Sequence, residues 1–178
     1  MRCAVVAVFV CAFGAVGCTG GPQAADDGIA TVVAVVDGDT VDVEIGRRTE
    51  RVRLIGIDTP ETKRPDTPVE CYGPEASAFT ESLLPAGTEV RIERDVVGRD
   101  DYGRLLGYVH LVGDGVGNGS IGNGSLDDTD AFVNMEIVEQ GFARPLTIEP
   151  NSTFAREFAS AARRAERNDL GLWAACSS

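Results

Sequence analysis

Asp39, Arg53, Asp58 and Glu61 are the residues whose types and spacing could do chemistry together. They lie in one stretch, Asp37 to Glu61, which reads D-G-D-T-V-D-V-E-I, a polar turn, then R-V-R-L-I-G-I-D-T-P-E. Two carboxylates with a backbone or hydroxyl oxygen form a hard-oxygen site for Ca²⁺ or Mg²⁺. An arginine beside them grips a phosphate through two parallel hydrogen bonds. A further carboxylate, ionised at neutral pH, orients or deprotonates a water. Together these are the parts of a metal-assisted phosphodiesterase site. Singly, each is also an ordinary polar position on the wet face of a sheet; the set is what points to chemistry.

The elements that must position them follow from periodicity. Val41, Val43 and Ile45 alternate with polar residues, as do Val52 and Leu54, the pattern of two half-buried strands. Gly46 to Glu50 is expected to join them as a hairpin loop. A hairpin brings the start of its first strand near the end of its second, so the carboxylates and the guanidinium can meet. Before it, Ile29 to Val36 is nearly all apolar and β-branched and reads as a buried first strand. After it, Pro60 stops the ladder, and a polar loop follows. Pro74 opens a helix with Ala76, Phe79, Leu83 and Leu84 on one face. Glu89 to Glu93 and Leu105 to Val112 read as strands around a charged loop, Asp95 to Asp101. Ala131 to Gln140 and Asn151 to Asn168 read as helices, with Leu172 and Trp173 closing the core. Strands, a helix, strands, then two helices suit an α+β domain built on a small closed barrel. Gly113 to Asp130 has no apolar pattern and reads as a disordered surface insertion. Asn118, Asn123 and Asn151 each begin an Asn-x-Ser/Thr sequon, a possible glycan site on an exported chain.

The 178 residues suffice for one domain with a real core. Arg2 precedes an uncharged run, Cys3 to Val16, with the shape of a secretory signal. Ala15-Val16-Gly17-Cys18 resembles the lipobox of bacterial and archaeal lipoproteins, with Ala15 at the usual leucine. That implies residues 1–17 as a signal peptide, with cleavage before Cys18 and lipid on its sulfur. Ordinary signal cleavage and an uncleaved N-terminal anchor are the alternatives. Residues 18–28 have the composition of a flexible tether, leaving 29–178 as the folded domain. Net charge is −12, and Lys63 is the sole lysine. Such a surface resembles proteins of salt-loving organisms, where a Debye length of about 3 Å at 1 M abolishes global repulsion from a polyanion. An acidic secreted protein is the plainer reading. One histidine, His110, rules out a two-histidine acid–base pair or a zinc cluster.

Several ordered motifs together are specific. Asp37-Gly-Asp-Thr-Val, Val52-Arg-Leu-Ile-Gly-Ile-Asp-Thr-Pro-Glu-Thr, Tyr72-Gly-Pro-Glu-Ala-Ser-Ala-Phe-Thr, Asp101-Tyr-Gly-Arg and Gly171-Leu-Trp stand in one chain. In these the chain resembles the staphylococcal nuclease (thermonuclease) family, over about Ala30 to Trp173. The resemblance implies a five-stranded OB-fold barrel with three helices. It implies a monomeric, secreted or membrane-anchored enzyme that uses Ca²⁺ to hydrolyse DNA and RNA, leaving 3′-phosphate ends. By the same match Asp39 and Asp58 are carboxylate ligands of calcium, and Thr59 a carbonyl ligand. Glu61 matches the general base, Arg53 and Arg104 the arginines on the scissile phosphate, and Tyr102 a substrate contact. The chain departs at Asp101, where a lysine is usual, at Asp66 and Thr67 in a normally basic loop, and at Leu146 and Ile148, where base-stacking tyrosines are expected. A non-catalytic nucleic-acid-binding OB module on a surface lipoprotein is the alternative, as is a structural lipoprotein with an incidental calcium site. The kept acids and arginines favour the enzyme.

Removal of the signal leaves Cys18, Cys71 and Cys176. With Cys18 lipidated, Cys71 and Cys176 form an even pair outside the reducing cytoplasm and are expected to be disulfide-bonded. Two buried free thiols are the alternative.

Overall fold

The computed structural model describes residues 28–63, 68–112 and 131–176. The expected signal peptide and tether, Cys18, the Gly113–Asp130 segment, Asp66 and Thr67 lie outside the described residues.

Strand β1 (Gly28–Asp37), β2 (Thr40–Ile45) and β3 (Arg48–Leu54) form an antiparallel meander. Strands β5 (Glu89–Glu93) and β6 (Leu105–Leu111) pair with each other, and β5 returns to β1. The parallel pairing of β3 with β6 completes a closed barrel in the order β1-β2-β3-β6-β5. The alternation read in the sequence now has its cause. Val32, Val41, Val43, Val52, Leu54, Val90 and Ile92 all face inward and are buried. Each such side chain contributes about 1.5–3 kcal/mol when removed from water. Helices α1 (Gly73–Leu83), α2 (Val133–Glu139) and α3 (Ala155–Arg167) cover the rest of the core with Ala76, Ile137, Val138, Phe158 and Ala161.

The sequence reading needs several corrections of detail. β1 is not buried throughout: Ile29 and Val33 are exposed, and two register shifts interrupt its pairing with β2. The hairpin loop is two residues, Gly46-Arg47, with Ile45 opposite Arg48 and Gly46 at φ 64°. The strand expected to run on to Asp58 breaks after Leu54. Gly56 takes φ 82°, and a Cβ there would collide with the Phe158 ring. The chain then enters β4 (Gly56–Asp58), which leaves the barrel to pair with β7 (Arg144–Leu146). Finally, a single helical turn, α4 (Leu172–Ala175), follows the three expected helices. It buries Leu172 and brings Cys176 to Cys71, with the two sulfurs bonded.

The helix expected from Asn151 begins later, because Asn151 is otherwise engaged. Its side-chain oxygen accepts from the Val97 N–H at 2.8 Å and its NH₂ donates to the Val97 carbonyl at 2.9 Å. Only 5% of the residue is exposed, so the third sequon is closed to a glycan. His110 is packed: it stacks on Phe132 and bonds Glu93.

Candidate active site

The two-residue turn fixes the register, and the register fixes the site. Thr40 faces Arg53 across β2 and β3, and the Leu54 N–H donates to the Asp39 carbonyl at 2.8 Å. Asp39, just before β2, therefore lies against the end of β3. Arg53 Nη1 stands 2.8 Å from Asp39 Oδ2, and Nη2 stands 3.0 Å from Asp58 Oδ1. Nη1 also donates to the Leu54 carbonyl at 3.0 Å, which holds the guanidinium in this orientation. The break at Gly56 is what turns Asp58 back toward Arg53. Thr59 closes the arrangement from the far side, since its N–H and hydroxyl both donate to Asp39 Oδ2 at 3.0 Å. Gly38 makes that approach possible: a Cβ at this position would come within 2.7 Å of the Thr59 hydroxyl. Asp39 is buried, whereas the Asp58 side chain is 56% exposed.

Glu61 is held differently. Its Oε1 accepts from the N–H groups of Thr62 at 2.9 Å and Lys63 at 2.8 Å. The loop carrying it is anchored by Asp37, a residue to which the sequence reading gave no role. Asp37 Oδ1 accepts from the Gly38 N–H, the Thr62 hydroxyl and the Ser77 hydroxyl of α1, each at 2.8 Å. Burial raises the Asp37 carboxyl, but its contact with Glu61 and the bonds from Thr62, Gly38 and Ser77 outweigh burial and hold it below the ordinary range. One buried carboxylate thus fastens the Glu61 loop to β1 and α1. Its only sequence signal is its place at the head of Asp-Gly-Asp.

Arg104 and Tyr102 stand across a cavity of about 420 Å³ whose wall also includes Arg53. Asp100 orients both. Its Oδ2 accepts from Arg104 Nε at 2.6 Å, and its Oδ1 from the N–H groups of Tyr102 and Arg104. Burial raises the Asp100 carboxyl, yet the Arg104 guanidinium and these amides lower it further, leaving it below its usual value. Tyr102 is 87% exposed, with the Arg104 guanidinium 5.6 Å from its ring centroid. Leu146 and Ile148 line the cavity too, with Val97. Asp39, Arg53, Asp58 and Thr59 thus form one cluster. Glu61 adjoins it through the Asp37 loop, and Arg104 and Tyr102 come in on the β5–β6 connection.

Among the described residues, no group of three or more His, Cys, Asp or Glu side chains could by itself hold a metal ion. The oxygen donors nonetheless fit a hard cation. Asp39 and Asp58 already converge on one positive group, the Arg53 guanidinium. Calcium would take these two carboxylates, with water completing its shell.

Comparison with known proteins places the chain in a family. The family described as "Staphylococcal nuclease homologue" matches residues 51–175. The chain is 37% identical to the "Thermonuclease" of Staphylococcus intermedius over 142 residues, covering 80% of this chain and 74% of that one. It is 34% identical to the "Thermonuclease" of Staphylococcus hyicus over 80% of this chain and 73% of that one. It is also 32% identical to "Endonuclease YncB" of Bacillus subtilis (strain 168), over 80% of this chain and 60% of the relative. A mixed five-stranded barrel of the OB type, with two acids and two arginines at one end, is a nuclease scaffold. The chain belongs to the staphylococcal nuclease family and is a nuclease.

Proposed function

We propose that this protein is an exported, calcium-dependent phosphodiesterase that cleaves DNA and RNA and leaves 3′-phosphate ends. The observation that carries the reading is the Arg53 guanidinium shared between Asp39 and Asp58, beside a cavity reached by Arg104. Bound Ca²⁺ would supply charge neutralisation at the phosphate. Arg53 and Arg104 hold the phosphate oxygens, whose negative charge grows in the transition state. Glu61 takes a proton from the attacking water. The new bond joins that oxygen to phosphorus, and the 5′ oxygen leaves with the electron pair of the broken bond.

The staphylococcal relatives support calcium and export only as family properties. The N-terminal pattern supports lipid attachment at Cys18, which would keep a monomer on the outer face of the membrane. The deciding experiment is digestion of single-stranded DNA with CaCl₂ and with EDTA. Cleavage with calcium, abolished by EDTA, is expected. DNA binding without cleavage in either buffer would sink the enzyme reading in favour of a non-catalytic binding module.

A further inference from the structure

The cavity beside Arg53 and Arg104 has an unusual balance of charge for a site that takes a polyanion. Three guanidiniums reach it: Arg53, Arg99 and Arg104. Each is already matched. Arg53 lies on Asp39 and Asp58, Arg99 makes two bonds to Glu50, at 3.0 and 3.1 Å, and Arg104 is bound to Asp100. Two more carboxylates, Asp101 and Glu149, line the same cavity, and both are exposed. Among the described residues neither has an arginine or lysine partner; Glu149 Oε2 accepts from the Ser152 hydroxyl at 3.3 Å. The remaining wall is aliphatic: Val97, Leu146 and Ile148 are 40%, 37% and 68% exposed. The cavity therefore offers apolar surface for a sugar and base, matched cations for a phosphodiester, and two unmatched negative charges.

We propose that Asp101 and Glu149 are specificity-determining residues that exclude a terminal phosphate monoester from this cavity. The inference rests on the phosphodiesterase reading and names the substrate that site prefers. A diester linkage carries one negative charge. A terminal monoester carries close to two near pH 7, since its second pKa is about 6. The additional charge meets Asp101 and Glu149, with which no arginine lining the cavity is paired. The preferred strand thus presents a hydroxyl-ended nucleoside here, or runs on as a diester, and the enzyme is an internal cutter that disfavours phosphorylated ends. Two exposed like-charge contacts correspond to a discrimination of about tenfold.

The test uses three short deoxyoligonucleotides of one sequence: hydroxyl at both ends, phosphate at the 5′ end, and phosphate at the 3′ end. With calcium in dilute buffer, at least one phosphate-ended strand should show a KM about tenfold above that of the hydroxyl-ended strand, at similar kcat. In D101N/E149Q the ratio should fall to within about twofold, with the single variants between. Molar KCl, which shortens the Debye length to about 3 Å, should compress the ratio in the wild type as well. Equal KM for all three strands in the wild type overturns the proposal, as does a ratio that survives in the double variant at low salt. A protein that cuts none of the three overturns the phosphodiesterase reading itself, and this inference with it.

Discussion

Glu61 and Arg104 make different demands on a substitution. Glu61 receives two backbone N–H groups on one oxygen, so Glu61→Gln keeps the shape and an acceptor there while losing the proton acceptor. As general base its loss should lower kcat by roughly 10²–10⁴. Arg104 binds Asp100 through Nε, which leaves its two terminal nitrogens for a phosphate. Arg104→Lys cannot keep the Asp100 contact and also offer two parallel bonds, so kcat should fall there too. Both variants are read on a dinucleotide ester. A change confined to KM would make either residue a binding group and not a participant in the chemical step.

At the scale of elements, the joint between β5 and α3 is the one to probe. Asp95 follows β5 and accepts from the Tyr108 hydroxyl at 2.9 Å and from the N–H and hydroxyl of Thr153 at 3.0 Å. Burial raises its carboxyl, but the bonds from Thr153, Tyr108 and the Val96 N–H prevail and depress it. Its folded value lies below its unfolded one, as does that of Asp37. Each therefore contributes stability that is fully present above the unfolded value of about 4 and lost as pH falls through the folded value. Asp95→Asn should cost about 1–3 kcal/mol at pH 7 in a urea titration, and the gap from wild type should close on acidification below pH 4. A gap that stays constant with pH would assign the loss to packing.

The same joint shows what could be read from the sequence. The facing ends of the β2–β3 hairpin were legible, because period two fixes both face and register. Asp39 and Arg53 follow from that, whereas Asp58 reaches Arg53 only through the break at Gly56. The break at Gly56 was not legible, since its cause, the Phe158 ring, comes from a helix about a hundred residues later. The roles of Asp37, Asp95 and Asp100 were hidden for a similar reason. A carboxylate that organises a loop is defined by the N–H groups the loop turns toward it, and no spacing rule encodes that. Asn151 read as a sequon because its neighbours fit, while its burial depends on Val97.

For the whole molecule, charge and covalent closure set the conditions of use. With net charge −12, self-repulsion works against the compact state in dilute buffer. Thermal melts should rise as KCl goes to molar concentration; an unchanged or lower melt would remove high-salt adaptation as an account of the acidic surface. The Cys71–Cys176 bond spans 105 residues. Loops of that size correspond to about 4–5 kcal/mol in the chain-entropy account. Reduction should therefore lower the melting temperature markedly, and alkylation of the unreduced, unfolded chain should label neither cysteine.

That bond also changes what a single cut means. Any one peptide bond broken between residues 71 and 176 leaves two pieces that are still one molecule, and neither can diffuse away. The span between the two cysteines carries β5 and β6 of the five barrel strands, all of the described helices and Arg104, while β1 to β3 with Asp39, Arg53, Asp58 and Glu61 stay on the arm that Cys71 retains. If the protein is exported as proposed and meets proteases, it can be nicked once and still keep both sides of its active site within reach of each other. On a gel such a nicked chain would run intact until reductant is added, and only then fall into two bands.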